Sequence, residues 1–225
     1  MIFIIGIFVI IIVYGPNLWA KQVLNNYNKK EYFSGNGIDL AKLILADMNI
    51  QDVKVENTDI GDHYDPENKI IRLTPEICGR KTLTAVVVAA HEVGHAIQDY
   101  DKFKPLRART RMIGFAVKTE RIGALIILVV PLFAVITKIP AAGLLMFLGG
   151  FATLCIPLFV HMLTLPTEFD ASFNRALPIL SSGKYIPEED IPAARKILLA
   201  CALTYVANAL AGLLNIWRWI RILRR

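Results

Sequence analysis

The chain has 225 residues, a net charge of +6, and 55% apolar residues against 20% charged ones. A soluble domain usually carries about 45–50% apolar and about 25% charged residues, so the excess must gather in special segments. The composition excludes a disordered chain, a collagen-like repeat and a disulfide scaffold. No aromatics interleave with the basic residues, so the positive charge points to anionic lipid and no nucleic-acid partner is expected. Cys78, Cys155 and Cys201 show no paired spacing and read as small hydrophobes.

Residues 1–20 form a first apolar block with no basic leader and no small-residue cleavage site, which predicts a transmembrane anchor rather than a signal peptide. Residues 21–121 read as a polar region with mixed elements. An amphipathic helix is expected over 37–48, a short strand at 53–55, a turn over 62–68 and a second strand at 69–73. Thr74-Pro75-Glu76 looks like a helix start, and a longer helix follows over 82–100. Residues 122–165 hold two apolar runs separated only by Lys138-Ile139-Pro140, which predicts a transmembrane hairpin. Residues 166–196 are polar again, with a helix expected to begin at Pro166 and Thr167. Residues 197–225 form a fourth apolar helix, carrying Asn208 and Asn215, with Arg218, Arg221, Arg224 and Arg225 at its basic end. Cations cluster in 21–121 and 166–196, which predicts a multi-pass cell-membrane protein with both polar regions in the cytoplasm. The expected fold is therefore a mostly α membrane protein: a helical transmembrane bundle beside a small cytoplasmic α+β domain.

The chemistry is expected at His91-Glu92-Val93-Gly94-His95. Two histidines four apart share one face of a helix, so both imidazoles can reach one zinc ion. Glu92 is placed to act as general base toward a water activated by that ion. Gly94 leaves room between the ligands for substrate or another backbone. Ala85–Ala90 is apolar throughout, and polar groups in a helix buried on all sides are costly unless they are used. The third ligand is expected after the hairpin, at Glu168. Asp170 is the alternative, or else an acceptor that orients one histidine. A hairpin between His95 and Glu168 returns the chain to the side it left, so the two ligand sets can meet.

The stretches Asp62-His63-Tyr64-Asp65-Pro66, His91-Glu92-Val93-Gly94-His95 and Leu165-Pro166-Thr167-Glu168-Phe169-Asp170-Ala171-Ser172 resemble the neutral zinc metallopeptidase family of bacterial membrane proteins (YugP-like). The resemblance covers nearly the whole chain and extends distantly to membrane gluzincins of the heat-shock and CAAX type. It implies a zincin-like fold and a single zinc ion, with His91, His95 and Glu168 as ligands and Glu92 as base. One departure stands out. The common gluzincin pattern E-x-x-x-D has Ser172 in place of its aspartate, which leaves Asp170 as the substitute orienting group.

Tyr64 and His63 are candidates for stabilising the oxyanion, or simply turn residues. Arg175 is a candidate for the same electrostatic role, or a partner for Asp170. Gln98 shares the ligand face and reads as a solvated residue. Tyr205 and Asn208 read as polar glue between helices, and His161 as interfacial. Strand 69–73, as an edge strand, would offer a peptide a place to add. The expected function is a membrane-embedded zinc metalloendopeptidase cutting polypeptides, including membrane-protein segments, near the cytoplasmic membrane face. The competing readings are an intramembrane, site-2-like protease and a non-catalytic scaffold stapled by zinc.

Overall fold

Local signals start most of the elements that carry the site. Asn36 caps the helix that begins at Gly37, and its side chain accepts the Asp39 backbone N–H at 3.0 Å while Asp39 takes the Asn36 N–H in return. The computed structural model describes residues 2–31, 33–137 and 140–213. Its helices are α1 (Ile2–Asn26), α2 (Gly37–Asp47), α3 (Pro75–Gly79), α4 (Leu83–Tyr100), α5 (Lys104–Thr137) and α6 (Pro140–Phe169), followed by α7 (Leu177–Leu180) and α8 (Ile191–Leu213). Thr82 caps α4 by accepting the Ala85 N–H at 3.2 Å. Pro75 opens α3, where its missing N–H costs nothing.

Three strands, β1 (Lys54–Asn57), β2 (His63–Asp65) and β3 (Ile70–Leu73), form a sheet in the order β1-β3-β2. β3 runs parallel to β1 and antiparallel to β2, with Ile71 opposite both Val55 and Tyr64. Strand 69–73 is thus the centre of the sheet and not an edge. The reason lies in the stretch expected to be only a turn: Asp65 accepts the Glu67 and Asn68 N–H groups at 3.0 and 3.1 Å, closing a tight reversal that folds His63–Asp65 back onto β3.

α6 does not stop at Pro166. It runs on to Phe169 and passes into a π-helical segment, Asp170–Ala176, so the expected new helix start at Pro166 and Thr167 is absent. Every residue of α4 from Leu83 to Gln98 is buried. Around it Ile44, Ile71, Leu73, Leu180, Ile197 and Leu198 are fully buried.

Among the described residues no helix is long and apolar enough to cross a membrane. This overturns the expected transmembrane bundle, and with it the basis for a multi-pass topology and for a cytoplasmic side. The protein is mostly helical with one small sheet. α5 shows the physical reason. Its apolar part, residues 122–137, is 16 residues long and follows a half that carries Arg107, Arg109, Arg111, Lys118 and Arg121. A span needs about 20 apolar residues. The end of α6 is likewise given to the protein interior, where Thr164, Thr167 and Glu168 are buried. Asn215 and the terminal arginines lie outside the described residues, as do the side chains of His161, Tyr205 and Asn208.

Candidate metal centre

α4 and the junction between α6 and the π-helical segment build the site. One helical turn sets the His91 and His95 ring centroids 4.8 Å apart. Both imidazoles are 2% exposed and Glu168 is fully buried. Glu168 Oε2 lies 3.4 Å from His91 Nε2 and 3.2 Å from His95 Nε2.

The hydrogen bonds behind the rings decide what meets there. Ser172 Oγ donates to the Leu198 carbonyl at 3.2 Å, so it accepts from His91 Nδ1 at 3.0 Å. Gln98 Nε2 donates to the Thr167 carbonyl and to Asp170 Oδ2, both at 2.8 Å. Its amide oxygen therefore accepts from His95 Nδ1 at 2.9 Å. In the neutral imidazoles both Nδ1 atoms carry the proton and both Nε2 atoms are bare. Two nitrogen lone pairs and a carboxylate oxygen then converge with no proton between them, an arrangement suited to a bound cation. Tetrahedral ligands at about 2.0–2.1 Å from zinc sit about 3.3 Å from one another, which is the spacing from Glu168 to each imidazole.

Gly94 makes this approach possible. A Cβ at that position would lie 2.6 Å from the backbone oxygen of Ala171, so only glycine lets the π-helical segment reach α4. Of the two openings expected at Gly94, substrate or backbone, the backbone takes it.

Glu92 sits between His91 and the core at 4% exposure, and its Oε2 has no hydrogen-bond partner among the described residues. Burial pushes its carboxyl up to about 7; His91 and Arg109 pull it down, and Glu168 and Asp62 push the same way as burial. Glu92 and His91 line a cavity of about 520 Å³ together with Leu24, Asp62, His63 and Cys201.

The other expected residues fall in different places. His63 lines the cavity, but its Nδ1 donates to the Gly61 carbonyl at 2.7 Å. Tyr64, on the opposite face of β2, gives its hydroxyl proton to Asp99 at 3.0 Å. Arg175 pairs with Asp170, at 3.3 Å, and with Asp101. Asp170 reaches His95 only through Gln98, and the Ser172 hydroxyl stands behind His91 where the gluzincin pattern has its aspartate. Arg109 is one of several cations in the charged half of α5. Its Nη1 lies 2.7 Å from Glu168 Oε1, an ion pair without hydrogen-bond alignment. Only its position inside an otherwise charged helix half could have drawn attention to it, and that signal does not separate it from its exposed neighbours.

A family model described as "Putative neutral zinc metallopeptidase" matches residues 2–224. The chain belongs to this zinc metallopeptidase family. It is 32% identical over 223 residues to "Putative membrane protease YugP" of Bacillus subtilis (strain 168), covering 96% of this chain and 95% of that protein. No solved structure matches. Membership in the metallopeptidase family implies zinc, and the donor set His91, His95 and Glu168 suits that ion by atom type and spacing.

Proposed function

We propose that the chain is a zinc endopeptidase working at a membrane, with His91, His95 and Glu168 holding the ion and Glu92 as general base. One observation carries the reading: three convergent lone pairs stand beside a buried carboxylate oxygen, Glu92 Oε2, that no protein group satisfies among the described residues. Leaving such an oxygen unpaired costs about 1–3 kcal/mol or more, and a zinc staple alone gives no reason to bear that cost. Bound zinc supplies Lewis acidity, polarising the scissile carbonyl and lowering the pKa of water to about 7. Glu92, at the cavity wall beside His91, takes the proton of the attacking water and hands it to the leaving amine. A carboxyl raised toward neutrality suits both transfers. Ser172 and Gln98 hold the two imidazoles with Nε2 inward, and Arg109 turns the second oxygen of Glu168 away from them.

Two findings support work at a membrane on polypeptide substrates, membrane-protein segments included. The similar Bacillus protein is named a membrane protease. The α5–α6 pair also exposes a broad apolar flank, including Leu128, Leu132, Ile136, Leu145, Phe151 and Leu163, of a kind that marks a lipid or protein contact. Glu92→Gln tests the chemistry. The variant should retain zinc while cleavage falls by about 10²–10⁴-fold, the usual worth of a general base. Unchanged cleavage removes Glu92 from that role, and a zinc-loaded parent that cuts nothing favours the staple.

A further inference from the structure

The cavity beside Glu92 has a second acid on its wall. Asp62 lines it from the loop before β2, and its Oδ1 accepts both the Thr74 N–H at 2.6 Å and the Thr74 hydroxyl at 3.0 Å. Those two bonds anchor one oxygen and fix the direction of the carboxylate. Among the described residues lining the cavity there is no lysine or arginine. His63 Nδ1 donates to the Gly61 carbonyl, and its Nε2 faces Arg72 Nη1 at 3.5 Å. Arg72 itself is taken by Asp65 at 2.6 Å. The remaining wall is mostly apolar, with Leu24, Ile60, Val88 and Cys201 beside Thr204. A peptide whose scissile bond lies at Glu92 must place a neighbouring side chain in this space. Its volume of about 520 Å³ lies within the range of about 300–1,000 Å³ typical of ligand sites. A mostly apolar cavity with a fixed carboxylate on its wall fits a long aliphatic stem with a cationic tip.

We propose that Asp62 sets substrate preference, selecting a lysine- or arginine-type side chain next to the scissile bond. The proposal rests on the endopeptidase reading above and names its substrate class. Its test measures binding, so that it can fail separately from catalysis. Two peptide hydroxamates differing only in lysine or norleucine beside the hydroxamate are titrated onto the zinc-loaded protein, in both orientations about that group. The lysine form should bind at least about tenfold more tightly, the range of a partly buried charge pair. In Asp62→Asn, which keeps an oxygen to accept from Thr74, the ratio should fall to about one. Equal binding of the two forms to the parent overturns the proposal, as does an unchanged ratio in Asp62→Asn. A glutamate form needs no variant: it should bind at least about tenfold more weakly than norleucine, and parity again overturns the assignment. Peptides matching the lysine form are then offered as substrates. A standing ratio without cleavage would sink the endopeptidase reading and leave the subsite.

Discussion

The two stretches that meet at the metal centre are built in opposite ways. The histidine stretch lies in the middle of α4, a helix buried on every side, and one helical turn aligns its ligands. The glutamate stretch comes 73 residues after His95, at the end of a long helix, and it reaches its place only through a backbone contact that Gly94 permits. The first needs no tertiary help to bring its two ligands onto one face. The second depends on α5 for Arg109, on α4 for Gln98 and on α8 for the carbonyl that holds Ser172. A local pair is robust, whereas a distant ligand is as good as the contacts that deliver it.

That contrast can be broken most directly at Glu168. Glu168→Ala should weaken zinc binding by more than about 100-fold, beyond the roughly 10–100-fold cost of losing an outer partner, as metal titration would read. Retained affinity would move the third ligand elsewhere. Next in size is Gly94→Ala, whose methyl would collide with the Ala171 carbonyl. It should cost about 1–3 kcal/mol in denaturant unfolding and also weaken zinc, because it separates the two stretches without touching a ligand. Ser172→Ala and Gln98→Ala sharpen the comparison further. Each should lower zinc affinity by about 10–100-fold while leaving the fold cooperative, and an unaltered affinity would deny them any part in orienting the imidazoles.

The smallest effect is expected away from the centre, in the turn before β3. Burial alone would raise the Asp65 carboxyl, but hydrogen bonds from Asn68 and Arg72 and from the Asn68 and Glu67 backbone outweigh it and hold it well below the usual carboxylate range. A carboxyl with a depressed folded pKa stabilises above its unfolded value of about 3.9, and loses that contribution as pH falls further. Asp65→Asn should therefore cost up to about 1 kcal/mol at neutral pH, because the pair is partly solvated, and clearly less near pH 2, where the contribution is falling but not yet lost. An equal cost at both pH values would assign the effect to packing.

The reading of residues alone located the helix of α4, the amphipathic helix of α2, the two histidines, their neighbouring carboxylate and the candidate glutamate. All but the glutamate are short-range matters: the apolar periodicity of a helix, a spacing of four residues, an acid next to a histidine. It missed the strand at His63–Asp65, because three residues beside an Asp-Pro reversal look like a turn until β3 pairs with them. It misjudged Pro166 as a start, because a proline inside a long helix can be carried by the packing around it. It also read apolar blocks as spans, when the apolar part of α5 is only 16 residues long and the end of α6 is buried in the protein's own interior.

Spacing along one helix thus settled which two imidazoles are able to grip one ion, since helical geometry follows from the backbone alone. Which partners hold those atoms, that Ser172 stands behind His91, that Arg109 faces Glu168, and that Asp62 shares a cavity with Glu92, was settled only by packing. Those contacts join residues tens of positions apart, and no local periodicity encodes them.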